Sequence, residues 1–301
     1  MKSLITSHKG LSIERLRAFC AVVEAGSLIS AAGGDPTRQS QLSRQLKDLE
    51  DGLEVRLFDR VNRRLIPTTI GRELALMARS FFAGVTELQR IERQDGEIVR
   101  VVGGESSLSG FVFPRFERMR AALPQCCFAF CQRSTADSIQ MLRDGQSDVA
   151  IVRDTADLEG LDTSSIGLAR FRLVVPRRLL PGRQREGLAC LNGLPIAFLS
   201  GGGEFTQVLT SLLKEADVET RQIAESDTFG GLRELVLTGS AAAVLPEWTA
   251  KTLPAEQISI VANKALDTLN RNLVAATHPR LTHLRPMIAA SVQTLCDIWR
   301  P

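Results

Sequence analysis

Arg38-Gln39-Ser40-Gln41-Leu42-Ser43-Arg44-Gln45-Leu46-Lys47-Asp48-Leu49 is the stretch on which the reading of this 301-residue chain turns. Leu42, Leu46, Leu49 and Leu53 recur at helical spacing, which predicts a helix from about Thr37 to Asp51, with Gly52 interrupting it near its end. With Leu42 set at zero and 100° per residue, Ser40, Ser43, Arg44 and Lys47 come to the opposite side. Arg38 and Gln39 fall in the opening turn. The helix therefore has an apolar back and a face of hydroxyl, amide and cationic groups. Before it, Gly33-Gly34-Asp35-Pro36 is a turn by composition. Ahead of that turn, Ser27 is placed to cap a short helix carrying Leu28, Ala31 and Ala32 inward. Residues 12–25 put Leu16, Phe19, Val22 and Val23 on one face of a first helix, which Gly26 ends. A short helix, a tight turn and such a second helix make a helix-turn-helix.

Downstream, Val55 to Pro67 reads as two short extended pieces around Asn62-Arg63-Arg64, a basic hairpin placed as a wing. Thr68 or Thr69 then caps a long helix from about Ile70 to Gln94, in which Leu74, Met77, Phe81, Val85, Leu88 and Ile91 recur every three or four residues. A stripe that long has few local partners, so pairing with a second copy is expected. From Glu97 the pattern changes to strands at 98–104, 127–132, 148–152, 172–176, 195–199 and 241–245, alternating with helices such as 138–143. That alternation predicts an α/β sheet, mostly parallel.

Composition bounds the function. With 44% apolar and 24% charged residues the chain is globular in type, and no apolar run approaches the ~18–20 residues of a membrane span. The opening MKSLITSHKG lacks the apolar core of a signal peptide, so a cytoplasmic protein is expected. The net charge of +3 sits in residues 1–95, with 15 Lys and Arg against 12 acids, while the remainder is balanced. Residues 38–72 concentrate it in Arg38, Arg44, Lys47, Arg56, Arg60, Arg63, Arg64 and Arg72, which fits phosphate contact. Cys126, Cys127 and Cys131 lack the paired spacing of a zinc site, and three scattered histidines do not complete one. Reduced, mostly buried thiols are expected, with no metal and no cofactor. The chain has no G-x-S-x-G elbow, no H-E-x-x-H and no phosphate loop with its lysine, so an enzyme is not expected.

Phe19-Cys-Ala-Val-Val-Glu-Ala-Gly-Ser-Leu28 with Ala31-Ala32, then Gln39 to Glu50, Val55-Arg-Leu-Phe-Asp-Arg60 and Thr68 with Gly71 resemble a LysR-type transcriptional regulator. The resemblance is specific over 14–71. It continues more loosely in Asp148-Val-Ala-Ile-Val152 and in Gly239, Ala242 and Leu245-Pro246. The sequence departs from the family where Arg38 to Ser43 replaces a usual Ser-Gln-Pro-Ala-Leu-Ser, and where Asp35 and Thr37 replace a core Leu and a β-branched residue of the turn. The resemblance implies a winged helix-turn-helix over 1–69, a dimerising linker helix over 70–95 and a two-lobed, periplasmic-binding-protein-like (type 2) effector domain over 96–301. Its first lobe would comprise about 97–170 and 270–301 and its second 171–269, with crossings near Ala169–Arg172 and Lys264–Asn272. It also implies tetramers on interrupted dyad sites in double-stranded DNA, and a small-molecule effector that changes DNA bending and contact with RNA polymerase.

On the DNA face, Gln39 suits adenine, Arg38 and Arg44 suit guanine or phosphate, and Ser40 and Ser43 either, with Lys47 on the same face, while Ser27 either only caps its helix or also touches phosphate. Arg63 and Arg64 on the wing would set register, and Arg60 either joins them or holds a nearby carboxylate. In an α/β sheet ligands bind beyond the carboxyl ends of strands. That selects Ser106, Ser107 and Ser109, then Ser200, Gly201, Gly202 and Thr206, then Arg133 and Ser134, and finally Ser226 and Asp227. Hydroxyls and free amides suit an anion, with Arg133 as its charge partner, whereas Glu105 and Glu204 suit an amine or hydroxyls. The effector's charge stays open on these residues, and Phe111, Phe198, Phe205 and Phe229 offer it aromatic surface. A thiol-based redox sensor of the same family is the alternative, resting on Cys126, Cys127, Cys131 and Cys190. A solute-binding protein is argued against by the N-terminal 95 residues.

Overall fold

The computed structural model describes residues 10–61, 64–92, 96–180, 187–201, 203–261 and 263–300. Arg63 and Gly202 lie outside them, as do the side chains of Leu88 and Ile91. Helix α1 (Ile13–Ala25) starts where Ser12 accepts the Arg15 N–H, and it stops at Gly26 in the left-handed conformation. Helix α2 (Leu28–Ala32) is capped by Ser27 and α3 (Pro36–Leu53) by Asp35, which accepts the N–H groups of Thr37 and Arg38. Asp35 and Pro36 thus build the turn their own way: a side-chain cap followed by a proline at the first helical position.

Gly52 does not interrupt α3. The helix runs through it to Leu53, and a Cβ there would lie 2.1 Å from the Gly10 Cα, so the glycine is kept for close backbone approach. Strands β1 (Phe58–Val61) and β2 (Arg64–Pro67) form an antiparallel hairpin. The three helices, the hairpin and the start of α4 (Thr69–Glu92) enclose one core, made of Phe19, Val22, Leu42, Leu46, Leu49, Leu57 and Phe58 among others. Along α4, Ala75, Leu76 and Ala78 are buried, whereas Ile70, Met77, Phe81 and Val85 are 40–52% exposed. The apolar stripe is therefore open in a single chain.

Strand β3 (Glu97–Gly103) leads into α5 (Glu105–Ser107), a π-helical turn at Leu108–Val112 and α6 (Phe116–Ala122). Next come β4 (Cys126–Gln132), α7 (Thr135–Arg143), β5 (Val149–Arg153) and β6 (Asp162–Ala169). The second lobe holds β7 (Phe171–Pro176), β8 (Pro195–Leu199), α8 (Glu204–Glu215), β9 (Arg221–Ser226), α9 (Phe229–Leu237), β10 (Ala243–Pro246), α10 (Glu247–Ala250) and β11 (Ile258–Val261). The chain then returns as β12 (Arg271–Thr277), α11 (Leu281–Leu284) and α12 (Pro286–Trp299).

The first lobe's sheet has the order β4-β3-β5-β12-β6, and the second lobe pairs β10-β7-β11 and β8-β9. The sheets are mixed rather than mostly parallel. Parallel ladders among the described residues are confined to β3 with β4 and β5, and to β8 with β9. β12 runs antiparallel to β5 and β6, and β7 to both of its neighbours. The reason is topological: a chain that crosses to a second lobe and comes back re-enters the first sheet from the opposite end. No helix among the described residues is long and apolar enough to cross a membrane.

Candidate functional site

The exposed side of α3 carries Arg38, Ser40, Ser43, Arg44 and Lys47, with Gln39 half-buried in the first turn. Ser40 donates to the Pro36 carbonyl (3.0 Å), and Ser27 accepts the Ser30 N–H (3.1 Å). Arg60 on β1 and Arg64 on β2 are exposed beside this helix pair. Among the described residues no carboxylate forms an ion pair with Arg38, Arg44, Lys47, Arg60 or Arg64, so Arg60 holds none of its neighbours. The contrast is Arg15 on the inner side of the same unit, which is paired with Asp48 at 3.0 Å. The outer face thus combines cations without ion pairs among the described residues, the amide of Gln39 and neighbouring hydroxyls.

The two lobes meet across side chains from the carboxyl ends of β3, β5 and β8. Phe171, Phe205 and Phe229 form one aromatic cluster there, with centroids 4.8–5.6 Å apart. Phe111 meets Trp248 edge-on at 5.1 Å. Gly110 must lack a side chain, because a Cβ would sit 2.3 Å from that indole. Ser106 and Ser107 are half-buried in the turn after β3, and Ser109 hydrogen-bonds Glu105. On the other side the Thr206 hydroxyl donates to the Leu199 carbonyl (2.8 Å) and the Ser200 N–H to the Ser226 carbonyl (2.7 Å). Ser226 folds onto Thr228, whose hydroxyl caps α9, while Asp227 is exposed and Gly201 takes a φ of 90°.

Glu105 spans the lobes, its carboxylate receiving the Phe229 N–H at the start of α9 as well as the Ser109 hydroxyl. Burial pushes this carboxyl above its ordinary value, and the two hydrogen bonds only partly offset that. A carboxyl raised in the folded state binds more protons folded than unfolded between the two values, so ionising it costs stability above that window and nothing below it. Glu105→Gln is therefore expected to melt a few degrees above the parent at pH 7, with the gain vanishing below about pH 4. Thermal melts across pH 3–8 check this, and a variant less stable at pH 7 would refute it.

Arg133 is not in the cleft. Along β4 side chains alternate, and Arg133 shares the side of Cys131, which packs with α7. Its guanidinium donates to the Gln132 carbonyl (2.7 Å) and lines a cavity of about 710 Å³ with Glu24, Arg79 and Arg100, between α1, α4 and the first lobe. Ser134 is likewise engaged, capping α7 through the Asp137 N–H and donating to the Asp137 carboxylate (2.7 Å). Sequence reasoning missed Arg153 and Arg271, which bracket Glu204 across the cleft. The signal for Arg153 was its place at the carboxyl end of the Asp148–Val152 strand.

The thiols offer little chemistry. Cys126, Cys190 and Cys296 are buried, Cys20 and Cys131 half-buried and Cys127 exposed, and none forms a disulfide among the described residues. Burial pushes Cys20, Cys126 and, to about 11, Cys296 upward, the opposite of a reactive thiolate.

Residues 13–72 match the family described as bacterial regulatory helix-turn-helix protein, lysR family, and residues 92–297 match the LysR substrate binding domain. The chain belongs to the LysR family. A probable hydrogen peroxide-inducible genes activator from Mycobacterium leprae is 30% identical over 196 residues, 64% of this chain and 63% of that protein. The chain spans about half to two-thirds of the length of such curated relatives. Solved structures of LysR family members share the fold over nearly the whole chain. Full-length LysG from Corynebacterium glutamicum with bound effector Arg has a TM-score of 0.65 at 16% identity, covering 97% of this chain and all of that one. CbnR complexed with its target DNA has 0.57 at 18% identity, covering 96% of this chain and all of that one.

Proposed function

We propose that this chain is a sequence-specific DNA-binding transcriptional regulator whose DNA binding or promoter activation responds to a small molecule in the interlobe cleft. The observation that carries the reading is the outer face of α3, where cations, an amide and hydroxyls stand without ion-pair partners among the described residues. In this reading 1–69 form the DNA-binding domain, 70–95 the dimerising helix and 96–301 the effector domain, divided at 170 and 270. The open stripe of Ile70, Met77, Phe81 and Val85 supports pairing of two copies through α4, and a pair of heads demands a dyad operator. Homodimers would assemble further into tetramers on interrupted dyads, within the cytoplasm and in reach of RNA polymerase.

Coupling has a physical route. Helix α4 is held to the first lobe by Arg79, which donates to the Asp144 carbonyl (2.7 Å), by the Glu73–Arg280 ion pair, and by Leu76 against Gly145. A shift of the first lobe therefore acts on the helix that leads to the head.

The test is capture of fragmented source-genome DNA by the purified chain beside a Gln39→Ala/Arg44→Ala variant. Recovery of a few discrete sites with interrupted dyad symmetry is expected for the parent. Each lost side chain should weaken them by about 1–3 kcal/mol. Diffuse, salt-sensitive recovery shared by both proteins would overturn the assignment of α3 as the reading helix.

A further inference from the structure

The cleft holds a charge arrangement that the reading above leaves unused. Arg153 ends β5 and Arg271 opens β12, so both stand at the edge of the first lobe's sheet that faces the second lobe. Glu204 opens α8 on the opposite side and reaches between them. One of its oxygens pairs with Arg153 and the other with Arg271, at 3.2 Å. Two guanidiniums thus share one carboxylate, and the Arg153 Nε is buried with no partner among the described residues. The neighbouring charges are engaged elsewhere: Glu105 with the start of α9, Asp154 with Asn272 (3.0 Å) and Glu247 with Arg172 (2.9 Å). Gly203, ahead of Glu204, supplies no capping side chain, so the first turn of α8 adds unsatisfied amide character at the same point.

We propose that Glu204 is an internal carboxylate occupying the place of a small organic carboxylate, which the cleft takes as its effector and which displaces Glu204 from Arg153 and Arg271. This rests on the regulator reading and names the chemical class of its effector. Arg presents a planar fork matched to carboxylate, so the pair of arginines is a receptor already built for the guest. Glu204 is tethered in the same cleft and competes at a high local concentration, which lowers apparent affinity by the fraction of time the bridge is made. While the bridge stands it also links the lobes directly. A guest that takes both arginines replaces a fixed link with its own size and shape, which is what a change of lobe orientation requires. A cationic guest would have to detach Glu204 from two guanidiniums with one positive charge, and it would leave them both unpaired in the closed cleft.

The experiment titrates full-length chain with sulfate, malonate and benzoate at millimolar concentrations and matched ionic strength, read by thermal melting. It uses the parent, Glu204→Gln, Arg153→Gln and Arg153→Ala/Arg271→Ala. Half-saturation by sulfate or malonate is expected at about tenfold lower concentration in Glu204→Gln than in the parent. It should move to higher concentration in Arg153→Gln and vanish in the double variant. Equal midpoints in the parent and Glu204→Gln, no response from either, an unshifted midpoint in Arg153→Gln, or a response that survives in the double variant would overturn the proposal. So would stabilisation by the dication agmatine, titrated in the same way, that Glu204→Gln abolishes, since Glu204 would then be the ligand group itself. Discrete-site DNA capture by the parent is scored separately. Its absence sinks the regulator reading, whereas its presence with equal anion midpoints sinks the displacement alone.

Discussion

Replacing Arg285 by methionine is expected to lower the stability of the effector domain by about 3–5 kcal/mol. Arg285 precedes α12 and forms an ion pair with Asp148, just ahead of β5, and the two side chains are only 5% and 3% exposed. Asp148 also accepts the Arg100 N–H at 2.7 Å, and the Arg100 guanidinium lies 3.9 Å away. Those contacts orient the carboxylate but do not replace the buried countercharge. Removing Arg285 takes from the buried carboxylate its closest countercharge, in a medium that solvates it poorly, which is why the loss exceeds the net worth of the bridge. The same argument gives the control. Asp148→Asn/Arg285→Met removes both charges, keeps an acceptor for the Arg100 N–H, and should recover most of the loss. Urea unfolding of the three proteins measures it. A single variant within 1 kcal/mol of the parent, or a double variant no better than the single, would remove the ion pair from the account of this core.

Gly71→Ala is expected to destabilise the DNA-binding head by about 2–3 kcal/mol, although alanine is the better helix former by about 1 kcal/mol. Gly71 lies in the first turn of α4, where its N–H donates to the Thr68 hydroxyl at 3.0 Å. A Cβ there would lie 2.2 Å from the Leu57 carbonyl oxygen and 3.4 Å from the Pro67 Cβ. Leu57 cannot step aside, since it is fully buried, its N–H is held by the Glu50 carboxylate (2.7 Å) and its carbonyl by the Thr68 N–H (2.9 Å). The start of α4 must lift from the hairpin instead. Because this helix joins the head to the rest of the chain, the variant should also capture DNA poorly. Melting decides the sign: a gain in stability would show propensity winning over the clash.

These two sites differ from the outer face of α3 in what can vary without unfolding the chain. Arg38, Gln39, Arg44 and Lys47 are exposed or half-buried, and substitutions there should leave melting within about 0.5 kcal/mol while changing the DNA recovered. In the proposed reading specificity is separable from stability on α3, whereas the cleft has no such separation. There Glu105 and Glu204 both bridge the lobes and face the space a ligand would enter.

The helix-turn-helix, the wing and the long α4 were legible in the sequence because each follows from local rules. Leucines at helical spacing set the buried side of α3 and hence the exposed one, and Ser12, Ser27 and Asp35 mark helix starts through hydrogen bonds that reach only two or three residues. The role of Gly52 was not legible, since its reason lies in Gly10, more than forty residues away. Arg133 was assigned to the cleft by its place after a strand, but the alternation of β4 turns its side chain to the other face of the sheet. The direction of β12 and the meeting of Arg153, Glu204 and Arg271 likewise follow from a chain that leaves one lobe, builds a second and returns. Periodicity and capping are properties of neighbours along the chain and are written in it. Which charges face one another across a cleft is set by the packing of distant segments, and only the folded molecule decided that.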